Sequence, residues 1–147
     1  MNKQPMRMRE NIILRVVSNA FIPFIFLFAL YVQFHGDFGP GGGFQAGVIF
    51  AAGIILYGVI FGLDTMRSAV PERAMEYGIV LGLMLYGGVG IVSLLSGANF
   101  LDYDVLNAHD PTHGQHLGIL LVELGVGITV TCAMTTIFYG LAGRGEQ

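Results

Sequence analysis

Charge is what this chain most lacks. Only 12% of its 147 residues are Asp, Glu, Lys or Arg, and those are confined to short intervals. None occurs in 16–36, 38–63 or 77–101, and the interval 111–143 holds a single one, Glu123. A helix that crosses a bilayer needs about 20 mainly apolar residues, so each interval is long enough to span. A soluble bundle of four such helices would have no polar face to present to water. With 54% hydrophobic residues and a mean hydropathy of +0.67, the expected class is an all-α polytopic membrane protein. It has four transmembrane helices, short loops and a single domain over residues 1–147.

Other absences narrow function. One cysteine, Cys132, lies inside the fourth apolar interval, so no internal disulfide can form. There is no phosphate-binding loop, nucleophile elbow, haem or iron–sulfur ligand set, or pair of catalytic carboxylates at readable spacing. The chain is therefore read as non-enzymatic, without cofactor or metal. Nucleic acid is not an expected partner, since basic residues cluster only in the N-terminal tail. That tail, with Lys3, Arg7, Arg9 and Arg15, precedes a run too long for a signal peptide and lacking a small-residue cleavage pattern, so an uncleaved first helix is expected.

The expected helices run over about 11–34, 43–63, 74–96 and 115–141. Pro23 falls inside the first and removes a backbone donor, which predicts a kink near Ser18 and Asn19. Gly43, Gly47 and Ala51 repeat every four residues on the second, and the third carries Gly78, Gly82, Gly87, Gly88 and Gly90. Small residues at such spacing allow helices to approach closely where lipid supplies no hydrophobic force between them. All seven Lys and Arg residues fall on the two tails or the second connection, or just inside the first helix. The positive-inside rule then places both termini in the cytoplasm.

Glu123 is the residue that needs a reason. Counted from Gln115 it lies about 12 Å along its helix, near mid-membrane, where an ionisable group costs at least about 2.5 kcal/mol and normally faces protein or water. Burial favours the neutral carboxyl, which would let it exchange protons near neutral pH. Gly127 and Thr131 share its face, and His116 lies seven residues before it. Two readings stay open: a proton or cation relay of Glu123 and His116, and a protonated Glu hydrogen-bonded to a neighbouring helix for assembly. His109, Asp110, His113 and His116 resemble metal-ligand spacing, but Pro111 interrupts the register and no cysteine joins them, so a titratable, water-facing loop is expected instead. Asp102 and Asp104 make the same connection acidic, which would suit the mouth of a cation path, although acidic loops are usually just solvated.

Between the first two helices lies the densest glycine run, His35-Gly36-Asp37-Phe38-Gly39-Pro40-Gly41-Gly42-Gly43-Phe44-Gln45-Ala46-Gly47. Such a run is a sharp turn or a place of close backbone approach. It resembles the P-G-G-G-F-x-x-G segment of the MnhB family, a membrane subunit of Mrp-type multisubunit sodium/proton antiporters, and a module found also in membrane-bound hydrogenase-type complexes. The positions carried over are Pro40, Gly41, Gly42, Gly43, Phe44 and Gly47. The lead-in differs, with His and Gly exchanged at His35-Gly36. The resemblance implies a small non-catalytic subunit in a bacterial or archaeal cell membrane, held in a hetero-oligomer with other antiporter subunits that moves Na⁺ and H⁺. Hydrogenase- or dehydrogenase-linked ion pumps, and a self-contained homo-oligomeric transporter, are the alternatives.

Overall fold

A computed structural model describes residues 11–36, 39–106 and 111–146. Five α-helices account for most of them: α1 (Ile12–His35), α2 (Gly43–Phe61), α3 (Leu63–Ala69), α4 (Glu72–Leu95) and α5 (Pro111–Ala142). Among the described residues four helices, all but α3, are long and apolar enough to cross a membrane. An even number of crossings leaves α3, the start of α1 and the end of α5 on one side, the tail side. The Gly36–Gly42 turn and the α4–α5 connection lie on the other, the turn side.

Local chemistry sets the boundaries. The Asn11 side chain accepts from the N–H groups of Ile13 and Leu14, at 3.2 and 3.4 Å, and so starts α1. The helix runs unbroken through Pro23 to His35. The second helix ends earlier than its apolar run suggests. Gly62, at φ 96°, breaks the chain direction, and Leu63–Ala69 turns back as a separate helix whose Met66 is fully buried against Gly58. The fourth spanning helix begins earlier than expected, because proline is well suited to a first helical position, where its missing N–H would have no acceptor. Pro111 therefore opens α5 and does not interrupt it. At 32 residues this helix is about 48 Å long, more than the roughly 30 Å hydrocarbon core requires.

Across the bundle the helices stand in the order α1, α2, α5, α4, with neighbours in extensive contact and α1 barely touching α5. Phe26 of α1 stacks on Phe50 of α2 at 5.6 Å between centroids. Gly43, Gly47 and Ala51 of α2 are all buried, and Gly43 and Gly47 pack on α5. Gly82 of α4 meets Gly125 and Thr129 of α5, and Gly78 meets Cys132. Further along α4 the expectation of uniform close packing fails, since nothing described lies within 4 Å of a Cβ placed at Gly87 or Gly88. Buried apolar residues are few, while Phe21, Phe24, Leu27 and Phe28 on α1 and Leu81, Met84 and Leu95 on α4 are exposed. That is the arrangement of a protein whose apolar exterior meets lipid or neighbouring chains.

At the tail side, Tyr139 of α5 donates to Val70 O (2.5 Å) and ties α3 to the bundle. Arg67 pairs with Glu72 at 2.8 Å, and the Arg15 guanidinium lies 5.6 Å from the Phe61 ring centre.

Candidate site at the glycine turn

The glycine run folds back on the helix it leaves. Gly39 N–H donates to His35 O and Gly42 N–H to Val32 O, both at 3.1 Å, so carbonyls at the end of α1 gain partners. The His35 ring stacks on Tyr31 at 5.2 Å. Gly42 adopts φ 111°, ψ 174°, a conformation open essentially to glycine alone, and from it α2 departs.

Into this turn projects the Glu123 carboxylate of α5. A Cβ built on Gly36 would lie 2.6 Å from Oε2, and one on Gly42 would lie 2.9 Å from Oε1. One residue further, the Glu123 carbonyl presses on the α-carbon of Gly43. Three glycines thus provide the space that the acid and its own backbone occupy. The carboxylate sits at the N-terminal end of α2, where first-turn N–H groups have no intrahelical acceptors and negative charge is favoured.

The seam continues toward the tail side. Gly47 packs on Gly127 O and Val130. The Thr131 hydroxyl donates to Gly127 O (2.7 Å), with Gly47 O at 3.2 Å. Thr135, fully buried, donates to Thr131 O (2.8 Å). Glu123, Gly127, Thr131, Thr135 and Tyr139 recur every four residues on α5, so polar groups follow this helix from the glycine turn to the α3 side. On the facing side stands Gln33 of α1. It is 4% exposed, its Oε1 lies 2.6 Å from a Cβ built on Gly127, and its Nε2 has no hydrogen-bond partner. Gln33 also lines a cleft of about 300 Å³ with Leu30, Phe34, Phe50, Thr131 and Cys132.

Depth differs from the reading based on Gln115. Glu123 lies nineteen residues before Ala142, about 28 Å at 1.5 Å per residue. It is therefore level with the ends of α1 and α2, close to a full hydrocarbon thickness from the tail side. A count from the start of α5 alone takes no account of where the neighbouring helices end.

The remaining candidates are placed as follows. Gly42, Gly43 and Gly47 face inward, whereas Pro40 and Phe44 are exposed and line a groove of about 440 Å³ with Phe28, Val32 and Gln45. Gly41 has its α-carbon near Val32 O and Gly36. His113 and His116 are exposed on the first turns of α5 and not in a loop, with His116 two turns beyond Glu123. His109, Asp110, Asp37 and Phe38 fall outside the described residues. Asp104 accepts from Gln115 Nε2 at 2.8 Å, and Tyr103 packs over Gly118, where burial pushes its phenol pKa up, with a further contribution from Tyr86. Among the described residues no group of three His, Cys, Asp or Glu is placed to hold a metal. Sequence reasoning did not single out Gln33 or Thr135. The available signal for Gln33 was an amide inside a charge-free spanning run.

Four helices able to span a membrane, with one half-buried acid held against a glycine turn, define a small polytopic membrane protein. Comparison with known proteins gives the family. Residues 13–136 match the MnhB model, described as a domain related to the MnhB subunit of Na⁺/H⁺ antiporter. A Staphylococcus haemolyticus protein named "Putative antiporter subunit mnhB2" is 33% identical over 139 residues, covering 92% of this chain and 98% of its own length. A Staphylococcus aureus protein of the same name is 30% identical over 141 residues, with the same coverage. The chain belongs to the MnhB family.

Proposed function

We propose that this chain is a membrane subunit of a multisubunit Na⁺/H⁺ antiporter in which the glycine turn does two jobs. Its inward glycines seat the Glu123 carboxylate at the edge of the membrane. Its outward residues, Pro40 and Phe44, dock a neighbouring subunit. Seated there, Glu123 exchanges protons with the aqueous side reached past His116, and the complex couples that exchange to cation movement. Both termini face the cytoplasm, which puts the turn on the outside of the cell membrane. The distribution of Lys and Arg supports that orientation.

The observation that carries this reading is the fit of one ionisable side chain against Gly36 and Gly42. The test is Glu123→Gln in the complex, with co-purification of partner subunits measured beside antiport as a function of pH. Normal assembly with reduced transport or a displaced pH profile is expected. Unchanged transport would remove Glu123 from the proton path and leave it a packing role. A reporter fused after Arg144 that is active only outside the cytoplasm would overturn the orientation.

A further inference from the structure

Gln33 is the polar group that the packing leaves unexplained. Burying an amide N–H without an acceptor costs about 1–3 kcal/mol, and such a group in a tightly packed seam calls for a reason. Its position suggests one. Gln33 precedes Gly36 by one turn of α1, and it lies against Gly127, one turn from Glu123 on α5. The amide and the carboxyl group thus follow one another along α5, at the one end of α1 that reaches it, with no side chain on Gly127 between them.

We propose that Gln33 is a second seat for Glu123, used by the protonated acid. A primary amide offers an N–H donor and a C=O acceptor side by side, and a neutral carboxyl group offers the complementary O–H and C=O. The two close a ring of two hydrogen bonds, with Gln33 Nε2–H donating to the carboxyl C=O and the carboxyl O–H donating to Gln33 Oε1. An ionised carboxylate has no O–H and closes only one of them. The seat at the glycine turn has the opposite preference, because the N-terminal end of α2 favours negative charge. A change of rotamer at Glu123 swings its carboxyl group off the turn and toward Gln33. Binding a proton moves the group inward to Gln33; releasing it returns the group to the turn. Titratable neighbours are few. The α1 side contributes His35, stacked on Tyr31; α4 contributes Tyr86, packed on Gly125; α5 contributes His116 further out. The α2 helix contributes no charged residue, and Asp37 lies outside the described residues.

This inference rests on Glu123 exchanging protons, and the experiment separates the two. Infrared difference spectra between low and high pH are recorded on the whole purified complex carrying native Gln33, Gln33→Met or Gln33→Leu, with Glu123→Gln as reference. The native complex is expected to show a protonated-carboxyl C=O band that Glu123→Gln abolishes. In Gln33→Met the band moves to higher frequency, because its hydrogen bond is lost, and the antiport pH profile shifts while partner subunits still co-purify. A band unchanged by both Gln33 substitutions overturns the second seat and leaves the Glu123 reading standing. No band lost in Glu123→Gln overturns both. Loss of assembly in Gln33→Met and Gln33→Leu alike overturns the seat in favour of a packing role for the amide.

Discussion

Replacing Gly42 by alanine adds one methyl group at the point where the turn, α2 and α5 meet. Two costs arise from separate causes. The backbone at φ 111°, ψ 174° is nearly closed to residues with a Cβ, which costs about 1–3 kcal/mol. The new methyl would also come within 2.9 Å of Glu123 Oε1, and such overpacking costs a further 1–3 kcal/mol or so. Together they amount to about 2–6 kcal/mol, at least a thirty-fold or so weakening of the seated arrangement. The assay is the yield of complex co-purified through a tag on a partner subunit, together with its thermal melting. Gly87→Ala is the matched control. It places the same methyl on α4 where nothing described lies within 4 Å, and should be neutral or gain about 0.5–1 kcal/mol from helix propensity. Equal yield and melting for Gly42→Ala and the native complex would refute the argument that the turn is closed around the acid. Gly42→Val should be more severe, since a β-branched side chain adds bulk at the same point.

Two further outcomes test the tail side. Tyr139→Phe deletes the hydrogen bond to Val70 O, leaves a carbonyl without that partner, and should lower stability by about 1–3 kcal/mol, read as a lower melting temperature and faster proteolysis at α3. Arg67→Ala removes an ion pair whose side chains are 37% and 48% exposed; its effect should stay below about 1 kcal/mol and be erased by salt.

The spanning segments were legible because their signal is long and simple. Charge-free runs of this length have one stable form in lipid. The glycine face of α2 was legible for the same reason, since Gly43, Gly47 and Ala51 repeat at helical spacing and all turn out buried, the two glycines against α5. Three features were hidden. A seven-residue helix such as Leu63–Ala69 carries too few periods to separate from a loop. Pro111 read as a break because proline stops a helix interior yet suits its first turn. The meeting of Glu123 with Gly36 and Gly42 joins positions more than eighty apart in sequence, and no local pattern encodes which turn receives which acid. His116 and Glu123 share a face by register, but register alone did not show that one projects beyond the glycine turn while the other is held in it.

The order α1, α2, α5, α4 also describes how the chain can come together. α1 with α2, and α4 with α5, are each a hairpin of consecutive spans, and the two halves are joined along the α2–α5 seam and, on the tail side, through α3. Each hairpin satisfies its own backbone once inserted, so the seam is a late, side-by-side docking of two preformed halves. A chain divided between Ala69 and Glu72 should then rejoin as two co-expressed fragments, with Gly43, Gly47 and Ala51 acting as the latch.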